Sequence, residues 1–296
     1  MIYPRKELRF KGKPALAKDL WKHKEFGADK KNLVVPLGVR VGKRFSLSNL
    51  LWMVTNKKYL FLDLKDLPHL IIGGNVNSPT NEYTNAIMVS LIKKFTPKEL
   101  QFVIADSSYI DYAFFSESSY LKGPFLRNAE ELLKATDETV KELDRRYDIL
   151  REARMRTADK YNNEKSFEMP HLFLIIDEMA KFMLEDAKTA KAIEKNLIRI
   201  LQLGRCVNIR LIINAWYFKE EVLPILLRVN FTTKICFATI SKEDTEFIFD
   251  YGGAEKLELG YEALLTNPYI GEKGPIKFRV ALVSDEDIYK IAHQTQ

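Results

Sequence analysis

Short apolar segments alternate with amphipathic ones along the chain from residue 68 to residue 238. Five largely apolar runs of five residues are bounded by polar or turn residues: His69–Gly73, Gln101–Ala105, Leu172–Ile176, Arg210–Asn214 and Lys234–Ala238. Runs of this length are typical of strands that are covered on both faces, as in parallel sheets. The pattern therefore predicts a mostly parallel sheet with helices between the strands, which is an α/β fold.

Two of the connecting segments have clear helical periodicity. Their apolar stripes are Val140, Leu143, Tyr147 and Leu150 in the first helix and Ile193, Leu197, Ile200 and Leu203 in the second. Arg145 and Arg146 lie beside the first stripe and are expected on the solvated face of their helix. Ligands of parallel α/β sheets bind beyond the carboxyl ends of the strands. Functional residues are therefore expected at that edge.

The chain before residue 67 has a different pattern. Residues 1–32 form a polar arm with a short helix predicted around Ala15–His23. Residues 33–66 contain two β-like segments separated by an apolar turn or short helix at Leu50–Val54. We predict three parts: a basic arm at 1–32, a small β subdomain at 33–66 and the α/β core at 67–296.

Charge is unevenly distributed along the chain. The net charge is +6 overall, but residues 1–60 contain 15 Lys and Arg against 4 Asp and Glu. A basic segment attracts nucleic acid or an acidic protein surface, whereas a solvated lysine-rich tail has the same composition. The candidate DNA-binding residues are Lys11, Lys13, Lys30, Lys31, Lys43 and Arg44.

Other residues exclude several function classes. Cys206 and Cys236 lack metal-ligand spacing and are expected to be reduced core residues, and no metal site is predicted. His69 and His171 each begin a buried strand and are expected to be structural. Neither an apolar run of 18 residues nor a signal-peptide pattern is present. We expect a cytoplasmic protein of a bacterium, phage or mobile element without direct membrane insertion; any attachment to a membrane would come from a partner or from a region outside this sequence.

Several motifs follow one another in order from Val34 to residue 292. They are PHLIIGG, QFVIAD, KELDRRYDILREARMRTADKYNNE, MPHLFLIIDEMAKFM, ILQLGRCVNIRLII, GGAEKLELGYEALL and VALVSDEDIYKIAHQ. Together they resemble the motor domain of FtsK/SpoIIIE-type DNA translocases. This resemblance implies a RecA-like P-loop NTPase core preceded by a small β region. It also implies assembly as a ring around double-stranded DNA.

The resemblance places a phosphate loop at one segment, which departs from the pattern G-x-x-x-x-G-K-S/T. The eight positions are Gly74, Asn75, Val76, Asn77, Ser78, Pro79, Thr80 and Asn81. Pro79 stands at the second glycine, Thr80 at the lysine and Asn81 at the metal-binding hydroxyl. Proline has no N–H to offer a phosphate, and Glu82 adds negative charge nearby.

These departures weaken the expected phosphate binding. Charge-assisted hydrogen bonds contribute roughly 1.5–3 kcal/mol each, so losing the lysine and one N–H costs about 3–6 kcal/mol, on the order of 10²- to 10⁴-fold in affinity. The same residues suit a helix start, with Ser78 as the cap, Pro79 at the first helical position and Glu82 in the first turn. We expect that no nucleotide cofactor is required and that ATP and Mg²⁺ bind weakly.

Other family positions are better matched. Asp177 and Glu178 follow an apolar strand and stand at the Walker B positions, where the resemblance implies Mg²⁺ ordering and activation of water. A structural role for the two carboxylates stays open. Trp216 stands where the family tends to have a glutamine sensor. Arg205 matches a family arginine that could act on a neighbour's nucleotide. The alternative, which we slightly favour, is a surface arginine that caps a helix C-terminus.

Three functions are compatible with these observations. The first is a non-hydrolysing subunit that serves as a DNA- or partner-binding platform in a DNA transfer or segregation machine. The second is an ATP-driven DNA translocase that works with an active or membrane-anchored partner subunit in a homo- or hetero-oligomeric ring. The third is a substrate-binding domain like the degenerate ATPase domains of type VII secretion motors. We favour the first and, from the loop residues, expect little or no hydrolysis by this chain alone.

Overall fold

The computed structural model describes residues 13–27, 32–41, 55–56, 59–165, 169–231, 233–267 and 274–294. Eleven strands in these ranges form one mixed sheet. They are β1 (Ala15–Leu16), β2 (Val34–Arg40), β3 (Thr55–Asn56), β4 (Tyr59–Asp63), β5 (Leu70–Gly73), β6 (Leu100–Ala105), β7 (His171–Ile176), β8 (Ile209–Ala215), β9 (Thr233–Cys236), β10 (Glu262–Thr266) and β11 (Ile276–Leu282). Their spatial order is β3-β4-β2-β11-β10-β9-β5-β8-β7-β6, and β1 pairs with β11.

The sheet has a parallel half and an antiparallel half. Strands β9, β5, β8, β7 and β6 are parallel neighbours, which confirms the five predicted strands to within two residues at each end. Strands β10, β11, β2, β4 and β3 continue the sheet in antiparallel pairs. The predicted β segments in 33–66 are thus hydrogen-bonded to the core through β11. The division of the chain into three parts stays a prediction.

Helices cover both faces of the sheet. They are α1 (Ala17–Leu20), α2 (Lys24–Gly27), α3 (Thr80–Ile92), α4 (Ala129–Glu152), α5 (Ala158–Glu164), α6 (Met179–Met183), α7 (Ala187–Leu203), α8 (Ile225–Arg228), α9 (Lys242–Phe249) and α10 (Asp285–Ala292). Within the described ranges, no helix is both long and apolar enough to cross a membrane.

Alternate side chains of each parallel strand enter different cores. In β5, Leu70 and Ile72 pack with α3 and α10, whereas Ile71 belongs to the core beneath α4, α7 and α9. The predicted stripe of α7 is buried except for Leu203, which is 39% exposed. Both faces of the parallel strands are therefore covered, and their loops meet at the two ends of the sheet.

Two predictions near the N-terminus are corrected or untested. The short helix expected around Ala15–His23 is present as α1, but it covers only Ala17–Leu20, with strand β1 before it and α2 after it. Ala15 and Leu16 pair with β11, and this tertiary hydrogen bonding competes with local helix formation. The turn expected at Leu50–Val54 lies outside the described residues.

Candidate functional site

The segment Gly74–Asn81 joins β5 to α3, as the sequence predicts for a phosphate loop. Five of its backbone N–H groups donate to acceptors within the protein. These bonds run from Gly74 to Ala215 O (3.2 Å), Asn75 to Ala238 O (2.9 Å), Asn77 to Asn75 Oδ1 (2.9 Å), Ser78 to Asn75 O (2.9 Å) and Thr80 to Ser78 O (2.8 Å). A phosphate loop instead directs such N–H groups at the ligand. As folded here, these five donors are already used.

The loop is also tightly folded on itself. A Cβ atom added at Gly74 would lie 2.6 Å from Ser78 Oγ and 2.7 Å from Ser78 Cβ. The prediction that Ser78 caps the helix is wrong, because Pro79 occupies the N-cap position and no side chain caps α3. Pro79 therefore precedes the first helical residue, Thr80. Ser78 packs against Gly74 rather than over the N–H groups of the first turn.

Asn81 directly contacts Asp177, which the sequence predicts at the Walker B position. Asn81 Nδ2 donates to Asp177 Oδ2 at 3.4 Å, and Asn214 Nδ2 lies 3.1 Å from Asn81 Oδ1 and 3.2 Å from Asp177 Oδ1. Asn214 also contacts Tyr112 Oη at 2.9 Å and accepts from Thr84 Oγ1 at 3.0 Å. The carboxylate of Asp177 thus has amide donors on both oxygens. α3, β7 and β8 are tied together at their ends.

The environment of Asp177 disfavours its negative charge. Burial is the main cause that raises the pKa of this carboxyl well above its usual value, and the Asp111, Glu178 and Asp106 carboxylates add to it. The hydrogen bond from Asn214 opposes the rise. Among the described residues, no group of three or more His, Cys, Asp or Glu could hold a metal ion. The side chains that donate hydrogen bonds to the Asp177 carboxylate are the amides of Asn81 and Asn214.

Glu178 lies at the start of α6 with left-handed backbone angles, φ 47° and ψ 58°. Its carboxylate forms an ion pair with Lys181, three residues later on the same helix. Left-handed angles cost a non-glycine residue roughly 1–2 kcal/mol. The strand-to-helix turn thus holds Glu178 at the carboxyl edge, beside Asp177.

Known proteins similar to this chain agree with the motif order. Residues 42–218 match the FtsK/SpoIIIE family. The chain belongs to the FtsK/SpoIIIE family. DNA translocase FtsK of Chlamydia pneumoniae is 30% identical over 265 residues, covering 85% of this chain and 32% of the relative. FtsK of Helicobacter pylori strain J99 is 29% identical over 233 residues, covering 77% and 27%. The chain spans about a third of these relatives.

Solved structures support the family fold. The pCW3 conjugation coupling protein TcpA, solved with ATPγS, has a TM-score of 0.73 at 19% identity, covering 95% of this chain and 74% of TcpA. EssC ATPases 2 and 3 of Geobacillus thermodenitrificans score 0.72 at 15% identity, covering 88% and 48%. The type VII secretion ATPase EccC of Thermomonospora curvata scores 0.69 at 18% identity, covering 95% and 34%. The expected P-loop NTPase-like α/β fold with a mostly parallel mixed sheet is confirmed.

The FtsK/SpoIIIE fold implies ATP and Mg²⁺, and the residues at this position do not fit them. Pro79 has no N–H, and Thr80 supplies no cation. Asn81 offers a carboxamide to Asp177 where the pattern has a hydroxyl for the metal. The neighbouring strand end carries Trp216, which is 37% exposed and packs against Tyr217. At Pro79, Thr80 and Asn81 the chain departs from the donors that the pattern G-x-x-x-x-G-K-S/T provides for a triphosphate.

Arg205 lies at the opposite end of the sheet in this FtsK/SpoIIIE member. It precedes β8, so it lies at the amino ends of the parallel strands, where its guanidinium donates to Asp66 at 3.2 Å. Its side chain is 54% exposed. The structure therefore does not bring Arg205 to the loop of its own chain, and action on a neighbour stays a prediction.

The candidate DNA-binding residues are only partly described. Lys13 is exposed near β1. Five others lie outside the described residues: Lys11, Lys30, Lys31, Lys43 and Arg44. Their role stays a prediction.

A second polar cluster, at the amino ends of β7 and β8, was not predicted. Arg146 is 1% exposed, so its assignment to a solvated face is wrong. Its guanidinium donates to Pro170 O and Val207 O at 2.8 and 2.7 Å and to Glu142 at 2.7 Å. Arg146 is one residue from Tyr147 on the apolar stripe and three from Leu143. That spacing could have indicated burial.

Arg210 and His171 complete this cluster. Arg210 donates to Leu64 O at 2.8 Å and contacts His171 Nδ1 at 3.2 Å. Burial and the Arg210 charge lower the pKa of His171 to about 3. The same two causes lower the pKa of His69 to about 3. Both histidines are neutral and structural, as expected. An arginine inside an apolar strand was the sequence signal for this cluster.

Proposed function

We propose that this FtsK/SpoIIIE-family chain is a non-hydrolysing subunit or domain that uses the motor fold as a binding platform in a DNA transfer or segregation machine. The observation that carries the proposal is the bond from Asn81 Nδ2 to Asp177. This hydrogen bond occupies a carboxylate that, in a Mg²⁺-dependent site, orders the ligands of the metal. A partner subunit with a complete site would supply hydrolysis.

The loop supports the same conclusion independently. Its N–H groups donate to Ala215, Ala238 and residues of the loop itself, so binding a phosphate requires breaking several of these bonds. Each net hydrogen bond contributes about 0.5–1.5 kcal/mol. This cost adds to the binding energy that is lost because Thr80 replaces the lysine and Pro79 has no N–H to donate. Nucleotide affinity is therefore expected well below that of an intact loop.

Isothermal titration with ATP and Mg²⁺ tests the proposal. We expect no heat of binding for the natural chain at millimolar ATP. A variant with Pro79→Gly, Thr80→Lys and Asn81→Ser carries the complete loop pattern and serves as the matched comparison. Saturable binding by the natural chain at micromolar ATP would overturn the proposal.

The rate of ATP hydrolysis provides a second test of the proposal. ATP hydrolysis by the natural chain is expected to equal that of its Glu178→Gln variant, within the background of the assay. A rate that is measurable and falls at least about tenfold in Glu178→Gln would show that this chain is an active ATPase. Lys181→Gln controls for loss of the ion pair without removing the carboxylate.

DNA is the proposed binding partner. The named relatives are DNA translocases, and residues 1–60 carry an excess of cations. Each cation that contacts phosphate adds about 0.9 to the slope of log affinity against log salt. Changing Lys11, Lys13, Lys30 and Lys31 to glutamine should therefore flatten the slope for duplex DNA. An unchanged slope would remove this segment from the contact.

A further inference from the structure

Large apolar side chains are exposed along the carboxyl edge of the parallel sheet. Ile240 follows β9, Val76 follows β5, Trp216 follows β8 and Ile110 follows β6. Their exposures are 85%, 69%, 37% and 70%. We call these four residues the apolar edge. Single exposed apolar residues are common, but a contiguous set marks a binding surface.

The loops that carry the apolar edge are bonded to one another. Asn75, beside Val76, donates to Ala238, two residues before Ile240. Gly74 donates to Ala215, which precedes Trp216. Ile110 precedes Tyr112, whose hydroxyl contacts Asn214 at 2.9 Å. Strands β9 and β6 are separated by four strand spacings, so the strand ends that carry the four residues span about 19 Å.

Acidic residues surround the apolar edge. The segments that follow the five parallel strands contain 12 Asp and Glu against 5 Lys and Arg. These segments are residues 74–82, 106–128, 177–186, 216–221 and 237–244. The described segments at the amino ends of the parallel strands contain 6 Asp and Glu against 10 Lys and Arg. These segments are residues 63–69, 93–99, 151–165 and 204–208. The carboxyl edge thus attracts basic partners and repels nucleic acid.

We infer that the apolar edge binds a basic amphipathic helix of a partner protein. One helical turn advances about 5.4 Å and one strand spacing is about 4.8 Å, so successive turns can follow successive strands. About 13 helical residues cover 19 Å. Leucine-like side chains would meet Ile240, Val76, Trp216 and Ile110, and flanking Lys and Arg would meet the acidic loops. The inference rests on the proposed function, because it needs this edge free of nucleotide.

A fluorescein-labelled peptide of 18 residues is the probe, with leucines at helical spacing and lysines elsewhere. The natural chain should bind it saturably, with a change in Trp216 fluorescence. A twin with glutamate at every lysine, and a scrambled peptide of the same composition, should bind at least about tenfold more weakly.

Matched protein variants locate the contact. Val76→Ser with Ile240→Ser should weaken peptide binding at least about tenfold, because two buried apolar contacts are removed. Leu203→Ser with Val229→Ser removes exposed apolar side chains elsewhere and should change affinity less than about twofold. Equal effects of the two pairs, or equal binding of the glutamate twin, would overturn the inference.

Two further outcomes are distinguishable. If the chain associates with itself in sedimentation velocity and Val76→Ser with Ile240→Ser abolishes this, a second copy covers the edge and the helix is refuted as its occupant. ATP with Mg²⁺ should leave peptide affinity unchanged. If ATP competes with the peptide, the proposed function is refuted. If neither the peptide nor ATP binds, only the inference of a bound helix is refuted.

Discussion

The two ends of strands β7 and β8 both hold buried polar clusters, and they differ in how charge is compensated. At the amino ends, Arg146 and Arg210 are bonded to backbone carbonyls, to Glu142 and to the neutral His171. At the carboxyl ends, Asp177 receives only amide hydrogens, and its pKa is raised.

The difference shows that motif position and hydrogen bonding are separate properties of a charged residue. The arginines belong to no motif of nucleotide chemistry, yet they fix several loops at once. Asp177 and Glu178 stand at recognised positions, yet Asn81 and Lys181 satisfy them within the chain. We therefore expect the amino ends to dominate stability.

The largest expected effect is at Arg146. Arg146→Met should lower the free energy of unfolding by about 3–5 kcal/mol, because Glu142 loses its buried partner and two carbonyls lose their donor. Arg145→Met is the control on the same helix, since Arg145 also pairs with Glu142 but is half exposed; it should cost less than about 1 kcal/mol. Urea unfolding measures both. Similar losses would break the contrast between the two ends.

Asn214 tests the carboxyl ends. Asn214→Leu should cost about 1–3 kcal/mol, because Asp177, Tyr112 and Thr84 lose a buried partner. Trp216→Phe lies two residues further along and should change stability by less than about 0.5 kcal/mol. A cost at Asn214 as large as that at Arg146 in the same urea experiment would reverse the expected ranking.

Acid should destabilise the amino ends through His69 and His171. Each histidine takes up a proton in the unfolded chain below about pH 6.5 but stays neutral in the folded chain down to about pH 3. Stability is therefore fully present above pH 6.5 and is lost on acidification, by about 1.4 kcal/mol per pH unit and histidine. His171→Gln should make the loss shallower in urea unfolding between pH 6.5 and 4.5. An unchanged slope would remove His171 from this role.

The smallest effect is expected at Glu178. Its ion pair with Lys181 is partly exposed and local, and such pairs contribute about 0–1 kcal/mol. Glu178→Gln should therefore change the melting temperature by no more than about 3 °C. A larger decrease in a differential scanning experiment would show that Glu178 is structurally important.

Periodicity predicted the strands and the long helices well, because it reports which positions of a segment are buried. Periodicity did not predict which residues a side chain contacts or hydrogen-bonds. Ser78 and Pro79 suited a capped helix start by composition, but Ser78 packs against Gly74 and the helix starts one residue later. Arg146 resembles a solvated charge in sequence because its acceptors, Pro170 and Val207, come from distant segments.

The candidate site was located from the sequence, but its internal bonding was not. The loop pattern identified Asn81 as a departure, and motif order located Asp177. That the two side chains meet depends on how β5, α3 and β7 are placed in space. The apolar edge is likewise a property of the folded sheet, since its members are at least 24 residues apart in sequence.

The position of β11 also has a consequence for synthesis of the chain. It lies between β2 and β10, and Phe278 pairs with both Arg40 and Ala263. Strand β2 therefore meets this neighbour only after roughly 240 further residues have been made. Until then, the growing chain carries an unpaired strand edge, which is a site for mispairing and chaperone binding. Closure of the sheet belongs to the last stage of folding, after residue 282 has emerged from the ribosome.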